Sequence, residues 1–456
     1  MTPWVGESRK TDMKNPSATT ESVLGGALLP RHGLGLGALL LAFTALCCVS
    51  LRLSYPYYGF IFILYDGARL YYAIAAVSCF ALIVPLFVFA RFSFGYLTGF
   101  YFYTMIVGYL WLNNFSQFKY NHVSAGISAA ISGIAFLLPA LLITSPIRQV
   151  YALPQWAFER LLILIVLFSA ATAAVGATYN FRLVAVGNIY TFRDQIEIPT
   201  LVNYSIGAAT SVLLPFAFAA FLAIRKSWWA GAVLLISLAF YPITLTKTTL
   251  MMPFWLVGLA ILLKILEASV ATVLSLLLPI LVGAILIVAV GEPARQYFGN
   301  INVRMVIVPS NAMDIYNDYF ARHELTHFCQ INIVRHFFSC PLAHPLAVEM
   351  RMNYEGVGNF NASLFATEGI ASVGLLFAPV SAFVCGLVIA LGNRLSSGLP
   401  PRFVLVSSAL LPQILLNVPL TIVLLTHGMA VLFLLWYVTP RSIFEQERGE
   451  PAAPGR

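Results

Sequence analysis

Long apolar segments constrain this chain more than any other feature of its sequence. Runs of about 17 to 25 mostly apolar residues recur along it, and a helix of that length crosses a hydrocarbon core of roughly 30 Å. Only 10% of the residues are charged, against roughly a quarter in soluble domains. Because water cannot be the solvent for such a surface, the sequence predicts an all-α, polytopic bundle of transmembrane helices.

The apolar runs predict about twelve spans. Pro412 and Pro419 interrupt the last apolar stretch, which favours a broken or re-entrant helix there and would reduce the number to eleven. The predicted spans are 33–51, 73–90, 97–112, 124–144, 160–178, 202–224, 229–246, 251–266, 270–290, 366–392, 403–418 and 420–438.

The segments outside the spans divide the chain into a membrane domain and two tails. Residues 1–32 hold Pro, Ser, Thr and charges of both signs without apolar periodicity, which is typical of a disordered tail. Residues 33–440 form the predicted membrane domain, with one long loop at 291–364, before the tenth span. Residues 441–456 are a second, short tail.

The basic residues predict how the bundle is oriented. With the N-terminus in the cytoplasm, fifteen of the 26 basic residues fall on the cytoplasmic side, six in short outer loops and five in loop 291–364. Long loops cross the membrane largely regardless of charge, so the short loops decide. We therefore expect both tails in the cytoplasm and the long loop outside.

The basic residues on the outer side suggest an anionic ligand. The orientation rule disfavours cations there, and phosphate or pyrophosphate would explain their retention, although a lipid headgroup or an acidic partner explains each one taken alone. The net charge of +8 does not indicate nucleic acid, because the basic residues are spread over many loops.

The long loop carries a predicted helix and a motif. Ser310 can cap a helix on which Tyr316, Phe320, His323 and His327 share one face, a docking surface for the bundle or a site. Residues 323–327 read HELTH and fit HExxH, in which two His one helical turn apart bind zinc and the Glu is a general base. Three fixed positions in five are a weak signal, so a zinc metalloprotease is an alternative. Cys329 and Cys340, in the same loop, form a disulfide or stay reduced.

A carboxylate lies at the outer end of the tenth span. Asn361 and Glu368 stand at helical spacing there, and an ionisable residue at this depth is more often functional than a structural partner of an arginine. We expect both to face the same outward cavity as Lys247 and Arg193.

The layout of about a dozen spans with one large outer loop late in the chain resembles the Wzy-type oligosaccharide repeat-unit polymerases of bacteria, which act on O-antigen and exopolysaccharide. The likeness covers roughly residues 180–440 and includes the segments RMVIVPSNAMDIYNDYFARHELTHF and GNFNASLFATEGIASVGLLFAPV. It implies a multi-pass glycosyltransferase of the inner membrane that joins polyprenyl-pyrophosphate-linked oligosaccharides on the periplasmic side. It also implies no nucleotide sugar, cofactor or metal, and other polysaccharide assembly proteins as partners.

In that chemistry, a hydroxyl group attacks an anomeric carbon and expels polyprenyl pyrophosphate. A general base takes the hydroxyl proton, and we expect His327 first, then Glu368, then His323 in that role. Fixed cations and amides would bind the leaving group. The candidates are Arg182, Arg193, Lys247, Arg295, Arg304, Asn359 and Asn361.

Two further alternatives stay open at this point. An O-antigen ligase shares the chemistry and differs in its acceptor. A flippase for the same lipid-linked sugars needs charged residues deep within several spans, whereas these spans are nearly free of charge away from their ends.

Overall fold

A computed structural model describes residues 31–193, 195–331, 333–337, 339–354 and 366–445. These residues form helices and connecting segments, with one isolated bridge between Ile63 and Ser116 and no strand, so the predicted all-α class is confirmed. The helices are α1 (Arg31–Ser54), α2 (Gly67–Ala81), α3 (Val84–Phe89), α4 (Phe94–Asn113), α5 (His122–Leu142), α6 (Gln155–Tyr179), α7 (Ile189–Arg193), α8 (Thr200–Ala208), α9 (Leu214–Ala223), α10 (Ser227–Ala239), α11 (Tyr241–Thr244), α12 (Lys247–Ile265), α13 (Ala268–Val290), α14 (Arg295–Phe298), α15 (Val308–Phe320), α16 (Leu346–Asn353), α17 (Ala366–Ser396), α18 (Pro401–Ser407), α19 (Leu411–Leu415), α20 (Leu420–Thr426), α21 (Met429–Val438) and α22 (Ser442–Glu445).

Within the described ranges, nine helical segments are long and apolar enough to cross a membrane, and a tenth is the pair α20 and α21, bent by 60°. The chain thus has the helices of a multi-pass membrane protein, but fewer candidate spans than the predicted twelve. The two spans that are missing from this set are 97–112 and 403–418.

Each of these two segments has a physical reason for falling short. Helix α4, which covers 97–112, is buried along its whole length by neighbouring helices. Its Tyr and Thr side chains and its Gly residues therefore do not face lipid, and the helix does not have to be as apolar as a helix that does. Segment 403–418 divides into α18 and α19, of seven and five residues. The interruption predicted at Pro412 is therefore present, and neither piece is long enough to cross a bilayer.

The predicted outer loop 291–364 is not one surface loop. Its residues from Arg295 to Phe320 form a continuous helical segment, made of α14, a π-helix (Gly299–Ile307) and α15, which we call the inserted helix. Helix α15 is buried from Pro309 to Phe320, between α4 and α17. Ser310 lies inside this helix and not at its N-cap, which corrects the predicted start.

Polar side chains explain why the hydropathy of the sequence predicts a loop where the inserted helix lies. Asn302 donates hydrogen bonds to Ser50 Oγ (3.0 Å) and to Ile280 O (2.8 Å). Ser310 Oγ donates to Val306 O (2.7 Å), and Met105 O of α4 lies 3.2 Å away. Because neighbouring helices and the backbone of the segment itself supply these partners, the segment tolerates a polarity that would exclude it from contact with lipid.

The predicted tenth span begins with a reversal of the chain. Gly374 in α17 has φ 74° and ψ 176°, outside the helical region. A Cβ on Gly369 would lie 3.3 Å from Ala378 Cα, whereas nine residues of straight helix span about 13 Å. Residues 366–373 therefore fold back against the rest of α17 as a re-entrant half-helix, and the crossing itself starts near Leu375.

Candidate functional site

A polar cavity of about 480 Å³ lies where four parts of the chain depart from regular α-helix. These are the π-helix Ala209–Leu213 between α8 and α9, the left-handed residue Leu245 before α12, the π-helix of the inserted helix, and the breaks that flank α19 and α20. Irregular backbone inside a membrane bundle is tolerated where it is buried or lines a water-filled cavity. Their convergence marks this cavity as the candidate site.

Hydroxyl and amide side chains dominate the polar wall. Among the described residues that line the cavity, the one side chain with a fixed charge is Arg304, and none is Asp or Glu. An anionic ligand therefore meets no opposing carboxylate in this wall. The polar lining residues are Asn203, Thr210, Ser211, Thr244, Thr246, Thr248, Thr249, Arg304, Gln413, Asn417 and His427.

The N-terminus of α12 opens into the cavity. Thr246 caps this helix by accepting a hydrogen bond from the Thr249 backbone N–H, and its hydroxyl lies 2.8 Å from that of Thr249. The hydroxyl of Thr244 lies 2.9 Å from Thr249 Oγ1. The hydroxyls of Thr244 and Thr249 donate to Phe240 O (3.0 Å) and Thr246 O (2.8 Å). The backbone N–H groups and the helix dipole at such an end are therefore what favours a bound anion.

Two of the predicted cations meet at this cavity. Arg304 lines it, and Lys247 lies in the first turn of α12 between two lining threonines. Lys247 Nζ donates to Asn300 Oδ1 (2.8 Å), on the π-helix that carries Arg304. Both positive charges are thus held on the same side as the α12 N-terminus, which is an arrangement suited to phosphate or pyrophosphate.

Two other predicted cations lie in the segment between α6 and α8, of which residues 180–193 and 195–199 are described. Its residues pack on Tyr241 and Leu245, and Ile196 contributes to the cavity wall. Arg182 is in this segment, where its backbone N–H bonds Pro242 O (2.9 Å) and its side chain reaches Gln195 Oε1 (3.4 Å). Arg193 ends α7, and its side chain lies outside the described part of the structure.

Arg295 is held away from the cavity wall by partners of its own. It forms an exposed ion pair with Glu292 (2.8 Å), donates to Tyr57 O (2.9 Å) and lies 5.3 Å from the centre of the Tyr58 ring. It is not among the lining residues. Its contacts anchor the start of the inserted helix.

The HELTH motif does not have the conformation that zinc binding requires. Helix α15 ends at Phe320, and His327 has φ 46°, so His323 and His327 are not on successive turns of one helix. The backbone N–H groups of Thr326 and His327 instead donate to Ala371 O (2.8 Å) and Ser372 O (3.1 Å). The motif thus satisfies carbonyls at the end of the half-helix, a structural role.

The predicted bases on the outer side are also separate from the cavity wall. His323 is exposed, stacks on Tyr319 at 3.9 Å and bonds its carbonyl (2.8 Å). Glu368 is 2% exposed on the half-helix, and its Oε2 has no hydrogen-bond partner in the described residues. Neither these two nor His327 lines the cavity. The expectation that Glu368 shares a cavity with Lys247 is not met here, and Asn359 and Asn361 lie outside the described residues.

Sequence reasoning missed a cluster of acidic and tyrosine side chains around the inserted helix. Tyr120 donates to Asp314, and Tyr354 Oη donates to Asp318 Oδ2 (2.7 Å), which also pairs with Arg322. Burial raises the pKa of the Asp314 carboxyl to about 7, against the opposing effect of the Tyr120 hydrogen bond. The spacing of four residues between the two carboxylates was the signal, and their contacts fasten the inserted helix to its neighbours.

His427 and the threonines around Lys247 were missed as well, because their short polar runs, residues 426–427 and 246–249, match no motif for a binding site. The prolines that break the last spans were the available signal. Cys329 and Cys340 form a disulfide, with Cα atoms 5.2 Å apart. Protein-family models, curated proteins and solved structures contain no match to this chain.

Proposed function

We propose that the protein is a membrane glycosyltransferase that polymerises oligosaccharide repeat units carried on polyprenyl pyrophosphate. The observation that carries this proposal is the cavity at which Arg304, Lys247 and the N-terminus of α12 converge. A donor of this kind brings its own leaving group, whose negative charge grows as the glycosidic bond forms. Cations and N–H groups fixed beforehand stabilise that charge without reorganisation.

The wall also suits the sugar part of such a substrate. Asn203, Gln413 and Asn417 place amide groups, which both donate and accept hydrogen bonds, on the side contributed by α8 and the break around α19. Sugar hydroxyls need partners of this type. The pyrophosphate lies against α12 and Arg304, and the repeat unit extends along the amides.

The reaction belongs on the outer side of a bacterial inner membrane, with both termini cytoplasmic. Disulfides persist in oxidising compartments, so the Cys329–Cys340 bond supports an outer location for the segment that follows the inserted helix. A reporter fused at residue 330 is expected to be active only in its periplasmic form. Cytoplasmic activity of that fusion would reverse the orientation and place the reaction on the wrong side.

Deleting the gene and separating the surface polysaccharide on a gel tests the activity in the cell. If the protein is a polymerase, we expect the deletion strain to carry surface glycan with single repeat units only. Loss of all attached glycan, with long polymer still made on the lipid, indicates a ligase instead.

A transporter is the second candidate, because broken helices around a polar cavity are also the pattern of secondary transporters. The same deletion separates it from a polymerase. Without a flippase, lipid-linked repeat units remain on the cytoplasmic face, whereas without a polymerase they reach the outer face. Vesicles of known sidedness, probed with a sugar-oxidising enzyme, give the location of the repeats.

Replacing Glu324 by glutamine is expected to leave polymerisation within about twofold of the wild type. Glu324 is exposed and does not line the cavity, and the HELTH segment lacks helical geometry. The chain length of the surface polysaccharide is the measurement. Abolished activity together with stoichiometric zinc in the purified protein would favour the metalloprotease, in which this Glu is the base.

A further inference from the structure

His427 occupies a fixed position in the cavity wall. It lies in the break between α20 and α21, where the next residue, Gly428, is left-handed with φ 79°. Gly207 of α8 packs against this break, because a Cβ there would lie 2.9 Å from Thr426 O. The backbone on both sides of His427 is therefore held against α8.

The hydrogen bonds of Thr426 determine which ring nitrogen of His427 carries a proton. Thr426 Oγ1 donates its one hydrogen to Ile422 O (2.9 Å) and lies 3.0 Å from His427 Nδ1. Since that hydrogen is already used, the hydroxyl oxygen accepts from Nδ1–H. The ring also has a hydrogen bond with the backbone of Ile422, whose carbonyl oxygen can only accept. With its proton on Nδ1, the neutral ring has Nε2 as its unprotonated nitrogen.

Among the described residues of the cavity wall, His427 is the side chain with a nitrogen that can accept a proton. The other polar side chains of the described wall are hydroxyls, amides and the Arg304 guanidinium, with the Lys247 ammonium in the first turn of α12 nearby. Hydroxyls and amides are too weakly basic, and the Lys and Arg side chains act as hydrogen-bond donors with no acceptor atom. The predicted bases His327, Glu368 and His323 do not line this cavity.

We propose that His427 is the general base of the reaction and that Thr426 is its positioning residue, an inference that rests on the proposed function. The acceptor hydroxyl transfers its proton to His427 Nε2 as its oxygen forms a bond with the anomeric carbon. The bond from that carbon to the phosphate oxygen breaks, and its electron pair leaves with polyprenyl pyrophosphate beside Arg304. The imidazolium then returns its proton to water, so no other reactant is needed.

Replacement of His427 by glutamine tests the base. In vesicles with a polyprenyl-pyrophosphate-linked oligosaccharide, turnover is expected to fall about 10²- to 10⁴-fold, the usual contribution of general base catalysis. Binding of polyprenyl pyrophosphate is expected to stay within about twofold, because Arg304 and the α12 N-terminus are unchanged. The wild type is expected to lose rate at acidic pH, where a protonated imidazole cannot accept the proton, and the variant is expected to show no such loss.

The Thr426→Val and Thr426→Ser pair tests the positioning role. Valine removes the Thr426 hydroxyl that accepts from Nδ1–H and leaves the backbone of Ile422 as the remaining partner of the ring. We therefore expect kcat to fall about tenfold with KM unchanged, since the tautomer is held less firmly. Serine keeps the hydroxyl and is expected to restore kcat. A merely structural role for Thr426 would lower thermal stability without this split between kcat and KM.

The possible results of these experiments distinguish a wrong assignment of the base from a wrong proposed function. If the wild type polymerises the substrate and His427→Gln retains activity within about twofold, the base assignment is wrong and the function stands. If the wild type forms no glycosidic bond, the function itself fails. Should His427→Gln not fold, a wild-type rate that does not fall as the pH is lowered from about 8 to about 4 would overturn the base assignment, because a protonated imidazole cannot act as the base.

Discussion

Replacing Arg304 by alanine is expected to lower the rate of polymerisation about 10²- to 10³-fold, the effect of removing one preorganised group that stabilises developing negative charge. Arg304 is the one side chain with a fixed charge among the described residues of the cavity wall, and none of those residues is Asp or Glu. Arg304→Lys keeps the charge but loses the planar fork that binds two phosphate oxygens, so an intermediate rate is expected. Polymer formed per unit time by the purified protein is the measurement.

Arg295→Ala is the matched control for this prediction. Arg295 is an arginine of the same helical segment, but it pairs with Glu292 at the surface and does not line the cavity. Its loss is expected to change the rate by less than about threefold, as for exposed ion pairs in general. Equal losses in the two variants, or full activity of Arg304→Ala in a folded protein, would remove Arg304 from the site.

Replacing Gly108 by leucine is expected to destabilise the fold by about 3 kcal/mol or more, beyond the usual cost of overpacking a core. A Cβ on this residue of α4 would lie 2.0 Å from Ser310 Oγ and 3.0 Å from Ser310 Cβ. The side chain would therefore separate α4 from the inserted helix. The thermal unfolding midpoint in detergent is the measurement, together with the yield of monodisperse protein.

Two further variants make this prediction specific to the contact between the two helices. Gly258→Ala, in α12, has nothing within 4 Å of the added Cβ, and its unfolding midpoint is expected to equal or exceed that of the wild type. Gly108→Ala is expected to be destabilising alone and to recover when Ser310→Gly removes the opposing atoms. If Gly108→Leu unfolds like Gly258→Ala, residues 308–320 do not lie against α4.

The sequence predicted the lipid-facing part of this fold well, because a helix exposed to lipid must be apolar along about 20 residues. Helices α1, α5, α6 and α13 were placed within a few residues for this reason. Helices shielded from lipid follow a different rule. In the inserted helix, Asn302, Ser310 and Asp314 each have a hydrogen bond within the protein, although Asn302 Oδ1 and Asp314 Oδ2 are buried without a partner among the described residues. Hydropathy alone predicts such a polar segment as a loop.

Only part of the candidate site could be predicted from the sequence, because its residues differ in how strong a sequence signal they carry. Cations predicted to lie on the outer side were singled out because they oppose the orientation rule. Of these, Arg304 lines the cavity, and Lys247 lies next to it in the first turn of α12. His427 carried no such signal, since one histidine in an apolar run has no pattern around it. HELTH does fit a known pattern, but that pattern binds zinc only when it lies on a helix, and helix α15 ends at Phe320, before the motif begins.

The half-helix was beyond sequence reasoning for a conformational reason. Glu368 and Asn361 were placed on one straight helix that continues into the membrane, whereas the chain reverses at Gly374. A glycine permits such a reversal without requiring it. The contacts that hold it, from Thr326 and His327 to Ala371 and Ser372, join residues 45 positions apart and have no local signature.

Reconstitution tests the central claim most directly. Purified protein in phospholipid vesicles is supplied with a polyprenyl-pyrophosphate-linked oligosaccharide, and both polymer length and released polyprenyl pyrophosphate are measured. We expect a ladder of products with one polyprenyl pyrophosphate released for each bond formed. In Arg304→Ala, we expect the rate of polymer formation to be about 10²- to 10³-fold lower. Folded wild-type protein that forms no bond, or that only moves the lipid-linked sugar between leaflets, would contradict it.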